Sequence, residues 1–114
     1  AMGKLLERGL KERLANHPNV GDIRGKGLFW GIELVEDKAT KRPFNPKKLI
    51  AMRIHEHGME EPFNISLYPA NGVADGVNGD AIMISPPYIV TKEEVERIVD
   101  LTDKVIRDFF AKKQ

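Results

Sequence analysis

Cysteine is missing from all 114 residues, which rules out disulfides, thiol nucleophiles and sulfur-ligated zinc. An excess of one charge is missing too. Its 18 basic side chains face 17 acidic ones, a net charge of +1, so electrostatics gives no reason to expect a nucleic acid or a membrane surface as partner. No apolar run approaches the ~20 residues that span a bilayer, and Ala1-Met2-Gly3-Lys4 has neither part of a signal peptide. The sequence therefore predicts a cytoplasmic protein. There is also no internal repeat and no low-complexity stretch.

What is present is the make-up of an ordinary globular domain, with 41% hydrophobic and 31% charged residues. A chain of this size buries roughly 65% of its unfolded surface, enough for one core and too little for two. We therefore expect one domain over residues 1–114, with residues 1–3 an expression scar because Ala1 precedes Met2.

Leu6, Leu10 and Leu14 recur every four residues, which predicts an amphipathic helix over Lys4 to Asn16 that lacks a capping residue and contains Gly9. His17 follows as a helix-end residue set to interact with terminal carbonyls. Val20 to Gly27 reads as extended or looping. Leu28, Trp30, Ile32 and Leu34 then share one face at period two, the mark of a core strand. The polar run Glu36 to Arg42 predicts an exposed turn or hairpin. Asn45-Pro46 predicts a capped helix start, with Leu49, Ile50, Met52 and Ile54 as its apolar face and Gly58 as its end. Strands are expected at Asn64 to Tyr68 and Ala81 to Ser85, joined by a glycine-rich loop. Thr91 and Glu94 form a capping box that opens a long helix striped by Val95, Val99, Ile106 and Phe109. The sum is an α+β two-layer sandwich, a small, mostly antiparallel sheet with helices on one face and the other face left open.

Residue types with chemical potential have ordinary explanations. Arg24-Gly25-Lys26-Gly27 precedes a strand and does not open a helix, so it reads as a tight turn and not a phosphate loop. His55 and His57 project about 200° apart on a helix and cannot share a metal ion. Asp75 and Asp80 each adjoin glycine and read as turn residues in preference to a general acid and base. Tyr68, at a strand end beside the glycine-rich loop, is the aromatic residue placed to line a pocket.

Taken as a string, Tyr68-Pro69, Asp75-Gly76, Gly79-Asp80 and Ser85-Pro86-Pro87-Tyr88-Ile89-Val90-Thr91 resemble the C-terminal signature of class III aminotransferases. Asn19-Val20-Gly21-Asp22-Ile23-Arg24-Gly25-Lys26-Gly27-Leu28-Phe29-Trp30-Gly31 resembles that family's entry into its small domain. The resemblance implies a fold-type I enzyme using pyridoxal 5'-phosphate, held by a lysine of a large domain that precedes these residues. It implies that no catalytic, cofactor-binding or metal residue is in this chain, that the parent is a homodimer, and that the fragment alone is inactive. Tyr68, Asp75, Gly76 and Pro86 become the substrate-pocket candidates. Some amino-acid:pyruvate members carry an arginine for the substrate carboxylate where this chain has Gly76. Its absence points to an amine or omega-amino acid as donor and a 2-oxo acid such as pyruvate as acceptor. An aminomutase and an ornithine- or aminobutyrate-type enzyme are alternatives within the family. A free-standing ligand-binding or protein-interaction module is the alternative outside it.

Overall fold

The structure, a computed structural model, describes residues 2–72, 79–86 and 90–112. It runs α1 (Met2–Leu14), β1 (Val20–Lys26), β2 (Phe29–Leu34), a 3-10 turn (Pro46–Lys48), α2 (Ile50–Met59), β3 (Tyr68–Asn71), β4 (Asp80–Ile84) and α3 (Lys92–Lys112). The four strands lie in the order β1-β2-β4-β3, and every neighbouring pair is antiparallel. This is the α+β sandwich that the pattern predicts.

Side-chain alternation along the strands divides the sheet into two faces. Trp30 pairs with Ile84 and Ile32 with Ile82, and all four are buried beneath the helices. Leu6, Leu10 and Leu14 of α1 have no exposed surface, and they join Val95, Val99 and Phe109 of α3 in the same core. Each such leucine contributes about 2 kcal/mol of apolar burial.

Gly9 lies where α1 and α3 cross. A Cβ there would come within 2.9 Å of a Val99 methyl, so this glycine sets how closely the two helices approach. Gly3 lies as close to the β1–β2 turn, where a Cβ would meet the Gly27 carbonyl oxygen at 2.4 Å. Helix α1 ends on charge. Arg107 donates to the Arg13 carbonyl at 2.6 Å, and Lys38 donates to the carbonyls of Ala15 and His17. Cations on the last carbonyls of a helix are favoured by its dipole. His17 meets a terminal carbonyl through its backbone, its amide donating to the Leu14 carbonyl at 3.0 Å, while its ring Nδ1 accepts the Asn19 amide at 3.0 Å and so does not act as a cation there.

The bounds of α2 and β3 differ from the sequence reading. Asn45 does cap Pro46, its side chain accepting the Lys47 amide at 2.9 Å, but the turn is a short 3-10 piece. Leu49 then adopts φ 52° and is 55% exposed, so α2 starts only at Ile50, and it runs past Gly58 to Met59. The expected strand at Asn64 to Tyr68 begins where it was expected to end. Asn64 has φ 52°, and the Ile65 amide bonds the Gly58 carbonyl at 2.7 Å, so the backbone before Tyr68 is spent on α2 and cannot join the ladder. The capping box forms in both directions: the Thr91 amide donates to Glu94 at 2.8 Å and the Glu94 amide to Thr91 at 3.2 Å.

Candidate functional site

The face of the sheet opposite the helices carries Phe29, Gly31, Tyr68, Ala70 and Met83, which the register sets side by side: Tyr68 pairs with Met83, and Met83 with Gly31. Gly31 offers no side chain, and the Met83 sulfur lies where a Cβ on it would be 3.1 Å away. The result is a shallow depression of about 550 Å³ lined by Phe29, Ser66, Tyr68, Ala70, Met83 and Ser85. Phe29 is 53% exposed and Tyr68 70%. The register continues the face onto β1 with charge, Arg24 beside Gly31 and Lys26 beside Phe29.

The structure brings together only part of the sequence-predicted set. Tyr68 lines the depression, and half-buried Pro86 follows Ser85, a lining residue outside that set. Asp75 and Gly76 lie outside the described residues. The base of their loop is described: Asn71 pairs with Asp80, and the Gly72 amide donates to the Gly79 carbonyl at 2.8 Å. That base is at the far end of β3, roughly 10 Å from Tyr68 at a strand rise of about 3.3 Å per residue. Tyr68 is therefore not beside the glycine-rich loop, as the sequence reading had it, because the strand starts at Tyr68 instead of ending there.

Asp80 is not simply a turn residue. It is 4% exposed and faces the helices, and its Oδ1 accepts the Ala51 amide at 3.0 Å. Burial raises its carboxyl above the ordinary value, and the Ala51 N–H draws it partly back. Nothing in the sequence pattern points to this bond, which joins residues 29 apart.

The two histidines of α2 diverge, as helical geometry requires. His55 Nδ1 lies 2.9 Å from the Leu67 carbonyl, whereas His57 Nε2 lies 2.8 Å from Asp108. Gly27 and Leu28 form the β1–β2 hairpin turn, where Gly27 has φ 59° and its carbonyl accepts the Trp30 indole N–H at 2.7 Å, while Gly25 lies within β1 and pairs with Trp30. Among the described residues no helix is long and apolar enough to cross a membrane, and no group of three His, Asp or Glu side chains gathers to hold a metal.

Comparison with known proteins places these features in a family. The family model described as aminotransferase class-III matches residues 1–106. An uncharacterised aminotransferase of Schizosaccharomyces pombe is 44% identical over 105 residues, covering 92% of this chain and 22% of that protein. The hypotaurine/taurine–pyruvate aminotransferase of Paracoccus denitrificans is 33% identical over 111 residues, covering 97% of this chain and 23% of its own length. Among solved structures, the omega-transferase from Vibrio fluvialis JS17 superposes with a TM-score of 0.82 at 28% identity, over 96% of this chain and 24% of that one. The chain thus spans between a fifth and a quarter of the length of these relatives.

Proposed function

The chain belongs to the class-III aminotransferase family, and on that premise we propose that it is the C-terminal small domain of a pyridoxal-phosphate-dependent transaminase. In this reading the rest of the polypeptide carries the cofactor, and the whole enzyme is a homodimer. The observation that carries the reading is the open sheet face, where exposed Phe29 and Tyr68 border a depression. A face of this kind suits a domain interface, and most of the relatives' length is available to supply the other side.

The residues of the depression do not fit the cofactor itself. Their polar groups are the hydroxyls of Ser66, Ser85 and Tyr68, with no lysine to condense with an aldehyde and no guanidinium fork for a phosphate. We therefore assign cofactor binding to the large domain and derive no chemical step from this one. What the domain supplies is a wall for the cleft: apolar surface that excludes water and hydroxyls that orient a bound amine or 2-oxo acid.

For the donor we propose an amine or an omega-amino acid, and for the acceptor a 2-oxo acid such as pyruvate. Gly76 supports this, since it brings no cation to grip an α-carboxylate. So do the relatives named for taurine or hypotaurine with pyruvate. The test is an assay of the full-length protein with pyruvate and a panel of donors, with alanine as the readout. Activity confined to α-amino acids, abolished by changes at residues 75 and 76, would sink the substrate reading. As a test of the interface, the chain alone should self-associate as its concentration rises, and clean monomeric elution at every concentration would count against it.

A further inference from the structure

Five large apolar side chains are exposed among the described residues. Phe29 and Tyr68 belong to the open sheet face, but Leu49, Met52 and Met59 lie on the other side of the sheet, along helix α2. Met52, Glu56 and Met59 fall at i, i+4 and i+7 and form one stripe, with the N-cap Leu49 exposed at its head. The helix buries its other side through Ala51, Ile54 and Gly58, so the stripe faces away from the core. The charges of α2 run against its dipole. Lys47 and Lys48 precede the helix, its first turn has no acidic residue, and Glu60 and Glu61 follow its last turn. A helix dipole favours the reverse, acids at the start and bases at the end. Asp80 offsets this at the Ala51 amide, yet the side chains of Lys47 and Glu61 have no ionic partner among the described residues.

We propose that α2 is a contact surface for a second copy of this chain, docked antiparallel across a two-fold axis level with Ile54. A two-fold contact has to be self-complementary. In the register that sets Leu49 opposite Met59, Met52 falls opposite Glu56, Lys48 opposite Glu60 and Lys47 opposite Glu61, and each pair occurs twice. Apolar residues then meet at both ends of the stripe, and beyond them each cation meets a carboxylate. The second copy also brings carboxylates to the start of α2 and ammonium groups to its end, as the dipole favours. A parallel copy would set Lys47 against Lys47 and Glu61 against Glu61, so the charges select the direction. Two of these charges are shared within the chain, since Lys48 reaches Glu36 at 3.4 Å and Glu60 lies 3.4 Å from His57. A contact confined to one helix of 10 residues falls short of the ~1,600 Å² of a standard interface, so the association is weak and reversible. It does not depend on the transaminase reading, and it uses the side of the domain away from the open face.

The experiment uses this chain with Tyr68→Ser throughout, which weakens contact through the open face, and reads the dimer dissociation constant by sedimentation up to about 1 mM. Lys47→Glu and Glu61→Lys should each weaken dimerisation about tenfold, and the two together should restore it to within about threefold of the parent. Both residues are exposed, so the variants keep the fold, which circular dichroism checks. Because the chain has no cysteine, the direction can be read separately. Under mild oxidation, Leu49→Cys mixed with Met59→Cys should give the mixed disulfide faster than either variant alone gives its own. Monomer at every concentration overturns the proposal, as does a double variant no better than the singles, or Leu49→Cys pairing faster with itself. In the full-length protein, Leu49→Cys should react freely with a thiol reagent at dilutions where no copy binds. Shielding there would make the rest of the polypeptide the occupant of α2 and would overturn the proposal as well.

Discussion

The same three strands, β2, β3 and β4, present two unlike surfaces, and the difference is one of cover. On the helix side Ile32 and Ile82 are wholly buried, whereas on the other side Phe29 and Tyr68 keep more than half of their surface exposed. Both sets are apolar, so hydrophobicity alone does not say which residues stabilise this domain. A buried isoleucine stabilises the chain by itself. An exposed tyrosine on an open face stabilises only the assembly that covers it.

The sharpest way to break this comparison is to truncate one residue from each face. Ile82→Ala should lower the unfolding free energy of the chain by about 2–4 kcal/mol, read from urea titrations. Gly9→Ala, on the covered side, should cost about 1–3 kcal/mol despite the better helix propensity of alanine, because the added methyl meets Val99. Combining it with Val99→Ala should relieve part of that loss, and simple additivity would show that the helix crossing is not the cause. Thr102 is fully buried, and its hydroxyl lacks a hydrogen-bond partner among the described residues, so Thr102→Val should gain about 1 kcal/mol. Tyr68→Ser and Met83→Ala should change the chain's stability by no more than about 0.5 kcal/mol while weakening its self-association. An open-face change as costly as Ile82→Ala would erase the distinction.

The covered side also sets a pH response. Burial, then the nearby Arg107 and Lys38, lowers the pKa of His17 from 6.5, against the opposing pull of Asp103. An unfolded chain then binds more protons than the folded one between the lowered value and 6.5. His17 therefore contributes stability that is fully present above that ordinary value and is lost as pH falls through the lowered one. Asp80, whose carboxyl is raised, acts in the opposite sense in the acid range, so the informative quantity is a difference. Urea midpoints at pH 7.5 and 5 should converge in His17→Phe relative to the parent, and an unchanged pH slope would remove His17 from the account.

Much of this was legible in the sequence, and the physics of what was not is instructive. The leucine stripe of α1, the alternation of β2 and the capping box of α3 are local patterns, each specified by residues within a few turns or pleats of one another, and all three form as read. Other features depend on partners far along the chain. The free Ala51 amide at the start of α2 is capped by the Asp80 carboxylate, and the end of α1 is held by Lys38 and Arg107, so no window of neighbouring residues contains either explanation. Gly9 shows the same limit. A propensity scale records only its cost, whereas the close approach of Val99 supplies its reason. At the candidate site, Tyr68 lines the depression of the open face, and its place along the strand differs from the sequence reading, since it opens β3 instead of ending a strand.

The pairing of α1 with α3 bears on the order in which the domain can be completed. Arg13 and Asp103 meet at 2.8 Å although 90 residues separate them, and the leucine stripe of the first helix packs against the last. A chain emerging from its N-terminus makes that stripe early and its partner last. Its slow step should therefore be the closure of nearly the whole length of the domain, the signature of a high contact order. Ending the chain just before Thr91 should leave the nascent stripe bare and convert a folding domain into an aggregating one.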